Sequence, residues 1–137
     1  MARVSAGLNV VSERKIAPEA KYTLVIKKPV DVKALSDKSD LGDTAYEFIF
    51  WPAIEGAGEL DGHEIRHRAT TSTKGSRWFL KTFLTGIGVS VAEDGSFDTD
   101  DVPGKRFSTI VKQRTYKDKN DRDAVANELD PQGCIRA

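Results

Sequence analysis

The segment from Lys74 to Val89, KGSRWFLKTFLTGIGV, constrains the fold most, because it is the strongest helical signal in a chain that otherwise alternates like β-strand. Phe79, Leu80, Phe83, Leu84 and Ile87 recur at helical spacing and fall on one side of a helix. Gly86 and Gly88 then supply residues that readily end it. One short helix among strands leaves few architectures for a small domain.

The strands read from alternation and from their breakers. Lys21 to Leu35 is extended, with Tyr22, Leu24 and Ile26 alternating with Thr23, Val25 and Lys27, and Pro29 marks a bulge or an edge. Ser36 to Asp43 is a polar loop turning at Gly42. Ala45 to Ile54 is the densest aromatic run. Tyr46, Phe48 and Phe50 share one face, Glu47, Ile49 and Trp51 the other, and Pro52 stops the strand or puts it on an edge. Glu64 to Thr73 resumes a β-like pattern after the turn at residues 55–62. Lys105 to Tyr116 alternates Phe107, Thr109 and Val111 against Ser108, Ile110, Lys112, Arg114 and Tyr116, so one face is apolar and the other turns basic. Asp123 to Leu129 pairs back as a last strand.

This order is about five strands with one helix between the third and fourth. It predicts a mainly β fold, a five-stranded Greek-key barrel of the OB type. Residues 1–18 are expected as a loose N-terminal arm, 19–131 as the barrel domain, and 132–137 as a C-terminal tail. Phe48, Phe50, Phe79 and Phe83 are expected in the core, since so small a barrel needs its large apolar side chains inside.

A chain of 137 residues buries roughly 65–70% of its unfolded surface without disulfides or metal. No apolar run approaches a membrane-spanning helix, and the N-terminus lacks a signal-peptide pattern. Cys134, the single cysteine, reads as a free surface thiol in a reducing compartment, here the cytoplasm. The 21 basic and 21 acidic residues cancel, which argues against indiscriminate attraction to nucleic acid. Their distribution is uneven: Lys105, Arg106, Lys112, Arg114, Lys117 and Lys119 cluster late, directly after the acids Glu93 to Asp101.

His63-Glu64-Ile65-Arg66-His67 matches the H-E-x-x-H letters of zinc hydrolases. That chemistry needs a helix to bring both imidazoles to one metal. Gly62 before the motif and Ala69 to Thr73 after it oppose a helix. On a strand the two histidines sit about 13 Å apart, too far for one zinc. The segment is expected as an exposed, charged strand. With no nucleophile elbow, P-loop lysine or dinucleotide fingerprint in the sequence, no catalytic residue, metal or cofactor is assigned and a non-enzymatic role is expected.

Binding single-stranded nucleic acid needs aromatic faces for bases and cations for phosphates. The aromatic candidates are Tyr46, Phe48, Phe50, Trp51, Trp78 and Tyr116. Trp51 and Tyr116 are preferred because each shares a strand face with charged residues. The cationic candidates are Lys27, Lys28, Arg66, Arg68, Lys105, Arg106, Lys112, Arg114 and Lys117, with Lys112, Arg114 and Tyr116 the central triplet on one face.

The order of segments also resembles a known group. A strand opening Lys21-Tyr22-Thr23 is followed by Lys74-Gly75, Trp78 to Leu84 and Gly86-Ile87-Gly88. An acidic loop comes next, and Pro103-Gly104-Lys105-Arg106-Phe107 opens a basic strand ending at Tyr116. From Lys21 to Pro131 this is similar to small bacteriophage proteins of replication and recombination loci, a group that includes OB-fold single-stranded DNA-binding proteins. The resemblance implies a single-stranded DNA-binding role with little sequence preference, in phage replication or recombination. The implied partners are single-stranded DNA and phage replication or recombination proteins, with no membrane and with homo-oligomerisation open. The acidic tail common in such proteins is missing from Gln132 to Ala137, which weakens any expectation of partner recruitment there. The rival expectation is a phage structural or protein-interaction module on a similar barrel, which the neutral net charge favours.

Overall fold

The structure, a computed structural model, describes residues 16–137; most of the expected N-terminal arm lies outside the described residues. Eight strands and one helix follow in chain order: β1 Ala20–Ile26, β2 Asp31–Lys38, β3 Thr44–Phe50, β4 Pro52–Ile54, β5 His67–Thr70, α1 Lys74–Ile87, β6 Arg106–Lys117, β7 Asp123–Leu129 and β8 Ile135–Arg136. All pairings are antiparallel. One sheet runs β4-β1-β6-β7 with β8 beside β6, and the other runs β2-β3-β5.

Two breaks explain why eight strands stand where five are expected. Leu24 to Ile26 pair with Ile54 to Pro52, and the ladder resumes at Asp31 opposite Ile49 with two extra residues on the side of Pro29. Pro29 has no N–H to give a ladder, so the strand bends there. The partner strand turns at Trp51, between β3 and β4. The two bent strands thus pass through both sheets and curl them into a half-barrel. Among the described residues β5 pairs with β3 alone and β7 with β6 alone, which leaves a seam between β5 and β7.

The helix closes the core. Thr73 caps α1 by accepting from the Ser76 N–H, and the Ser76 hydroxyl oxygen accepts from the Thr73 N–H in return. Asp40 reinforces that end, accepting from the Lys74 N–H at 2.9 Å and pairing with Arg77 at 2.7 Å. Gly88, at φ 93°, ends the helix in the left-handed conformation. Leu80, Phe83, Leu84 and Ile87 face inward. Phe83 meets Phe50 and Phe107 edge-on, with ring centroids 5.0 and 5.8 Å apart, and all three are fully buried. Burying each such side chain contributes roughly 1.5–3 kcal/mol.

Three expectations need correction. Phe79 is 44% exposed, because the buried face centres on Leu80, Phe83, Leu84 and Ile87 and Phe79 falls beyond its margin. The segment expected as a tail is structured: Ser108 pairs with Ile135 and Phe107 with Arg136. Cys134 is buried instead of forming a surface thiol, and burial pushes its pKa up to about 11. A thiol held so protonated is a poor nucleophile at neutral pH. Among the described residues no helix is long and apolar enough to cross a membrane.

Candidate nucleic-acid interface

Beyond Val111, the β6–β7 hairpin leaves the core. Lys112 to Thr115 are all exposed, while the ladder continues through Lys117 opposite Asp123. Alternation keeps Lys112, Arg114 and Tyr116 on one face, and the Arg114 guanidinium lies 5.8 Å from the centre of the Tyr116 ring. The opposite face of the hairpin, with Gln113 and Asn127, turns to the segment that enters β1. The Asn127 carboxamide accepts from the Ala17 N–H at 2.8 Å and donates to the Ala17 carbonyl at 2.9 Å. Gln113 donates a second bond to that carbonyl, at 3.1 Å. The hairpin is thereby braced at its base.

Across the seam lies the stretch His63 to Arg66, which is extended. Glu64 makes an isolated bridge with Ala53, and β5 begins at His67. The two halves of the seam meet where His63 Nε2 lies 3.3 Å from Asn127 Oδ1. A cleft of about 370 Å³ opens there. One wall is Trp51 with His63, Glu64, Ile65 and Arg66; the other is Arg114, Tyr116, Ala126 and Asn127, and Ile16 also lines it. Both aromatic rings are half-buried, so each keeps an accessible part.

Trp51 is held in place by its neighbours. Its indole N–H donates to Asp31 at 2.9 Å, and the Lys28 ammonium sits 6.0 Å from the ring centre while pairing with Glu64 at 2.7 Å. Of the preferred residues, Trp51, Arg66, Arg114 and Tyr116 are therefore brought to one cleft. Lys28 joins them through the Trp51 ring.

The remaining preferred residues lie elsewhere. Arg68 projects outward from β5 and pairs with Glu47 at 2.5 Å. Arg68, then Lys33 and Arg66, hold the Glu47 carboxyl below its ordinary value. Arg106 starts β6 at the opposite end from the hairpin tip and pairs with Glu55 at 3.0 Å; Lys105 precedes it. Lys117 pairs with Asp123 at 2.6 Å, and Arg114 reaches Glu128 at 3.7 Å. Lys27 is exposed at the β1–β2 bend and does not line the cleft, and Lys112 is exposed on the hairpin above it.

The H-E-x-x-H letters do not form a helix, and the expectation that the whole segment is an exposed strand fails for His67. Alternation sends Arg66 and Arg68 outward and His67 inward, with its ring 4.5 Å from Phe83 and 5.9 Å from Phe50. Burial among these rings pushes its pKa down to about 4. His63 and Asn127 were not nominated by sequence. Only the meeting of segments 64 residues apart makes them neighbours.

Comparison of the chain with protein-family models and with curated proteins returned no match.

Proposed function

We infer that this protein is a non-enzymatic, OB-like single-stranded DNA-binding protein with little sequence preference, acting in phage DNA replication or recombination. The observation that carries the reading is the convergence of Trp51, Tyr116, Arg66 and Arg114 on one cleft. Two aromatic rings and two guanidinium groups are the parts a single strand needs, because bases stack on any flat ring and phosphates follow the cations. The cleft lies between the strand pair β3/β4–β5 and the last hairpin. In OB-folds the corresponding strand face and hairpin loop take oligonucleotides, and the helix placed after the third strand run favours the same architecture. Low sequence preference follows from stacking, which needs no base-edge reading. The phage setting rests on the resemblance of Lys21 to Pro131 described above.

A second reading, a protein-interaction module, is favoured by one observation: Arg68, Arg106, Arg114 and Lys117 each face an acid of the same chain. Such pairs reduce the field a polyanion meets.

Titration of a fluorescent oligo-dT short enough to fill the cleft alone separates the two. Arg66, Arg114, Lys28 and Lys112 engaging phosphates give a log–log salt slope of about −3, near 0.7 per contact. Binding that weakens along that slope is the expected result. No binding at micromolar protein in low salt removes the DNA-binding reading.

A further inference from the structure

The outer stripe of α1 is built unlike a helix that serves packing alone. Lys74, Trp78, Lys81 and Thr85 recur at intervals of four, three and four residues and line one exposed face. Trp78 is 53% exposed, and its ring meets that of Phe79 edge-on at 5.1 Å. The two adjacent rings form a contiguous apolar patch on the helix surface, the kind of feature at which contacts are made. The charge is equally one-sided. The helix carries Lys74, Arg77 and Lys81 and no acid, and its first turn has bases where the helix dipole favours acids. Asp40 offsets Arg77, while Lys74 and Lys81 have no ion pair among the described residues. Lys74, in the first turn, opposes the helix dipole, and no acid on the helix offsets Lys81.

The chain that runs from the cleft to this helix also carries cations. Arg66, just before β5, is followed two residues on by Arg68 within it, and with Lys33 both act on Glu47. Three cations share one acid there. The chain then passes Thr70 and reaches Lys74 at the start of α1. From Arg66 to Thr70 the strand spans about 13 Å.

We propose that single-stranded DNA held in the cleft continues along the outer side of β5 and stacks a further base on Trp78, with Lys74 and Lys81 on its phosphates. This rests on the cleft reading above and adds a second contact to it. The occupant is a polyanion with flat faces, which matches an exposed indole between two ammonium groups.

The chain has two tryptophans, so Trp51→Phe leaves Trp78 as the only indole and keeps a ring in the cleft. Titration of that variant with an oligo-dT of about 20 nucleotides should quench Trp78 emission in step with binding, as stacked bases do. The variant Lys74→Ala/Trp78→Ala/Lys81→Ala should bind the same oligonucleotide about tenfold more weakly, with a salt slope shallower by about 1.4. These positions are exposed, so its circular dichroism should match the parent. If the oligonucleotide binds but Trp78 emission is unchanged and the triple variant keeps parental affinity and slope, the helix contact is overturned and the cleft stands. If the parent protein binds no oligonucleotide, both readings fall.

Discussion

His67 makes the fold's stability depend on pH in a calculable way. Its ring is packed against Phe83 and Phe50, and its pKa is pushed down to about 4 from the ordinary 6.5 by burial. Between those values the unfolded chain binds a proton that the folded chain refuses. Stability therefore rises with pH through this window and falls as acid is added. At 1.36 kcal/mol per pKa unit the full loss is about 3 kcal/mol, of which about 2 kcal/mol is gone by pH 5. The carboxyls of Asp40, Glu47 and Asp94 are held below their ordinary values by bonds from Arg77, Arg68 and Ser96, so their stabilisation is lost only at lower pH. Urea unfolding followed by circular dichroism at pH 7.5 and pH 5 measures the difference. His67→Leu cannot titrate and should show a much smaller one, whatever its absolute stability. An equal fall in both proteins, or a flat profile in the parent, refutes the reasoning.

Other perturbations test the packing and the hairpin. Phe83→Ala removes a fully buried ring that three others touch and should lower unfolding free energy by about 3–5 kcal/mol in the same assay. Gly86→Ala would gain helix propensity in isolation, but its Cβ would lie 2.8 Å from the Cys134 carbonyl oxygen; a net loss of about 1–3 kcal/mol is expected, with separation of the last segment from α1. Lys112→Ala with Arg114→Ala changes exposed positions and should leave the melting temperature nearly unchanged. Its oligo-dT salt slope should be shallower by about 1.4, read by fluorescence anisotropy.

Local signals were legible in the sequence, and long-range meetings were not. The helix from Lys74, the basic strand and the return strand from Asp123 to Leu129 lie where periodicity and turn residues put them, because each is specified by neighbours within a few positions. Phe79 shows the limit of that logic: helical spacing places it near the apolar face, but which residues are covered depends on where the sheet lies. The strand at Ile135 could not be read from two residues. It exists because Gly86 lets the backbone at Cys134 approach the helix closely. In the cleft, Trp51 and Tyr116 were visible as aromatics sharing a face with charges. Their meeting, and the bracing by Asn127, depend on how the seam between β5 and β7 is arranged. The ion pairs that occupy Arg68, Arg106 and Lys117 were hidden for the same reason, since each acid lies on a different strand or turn.

Amide chemical-shift mapping with oligo-dT tests the central claim most directly. The account predicts that the largest changes fall on Trp51, Arg66, Arg114, Tyr116 and Ala126, together with the Trp51 indole N–H now bonded to Asp31. Saturable shifts centred on a different surface, with these signals unmoved, would contradict it.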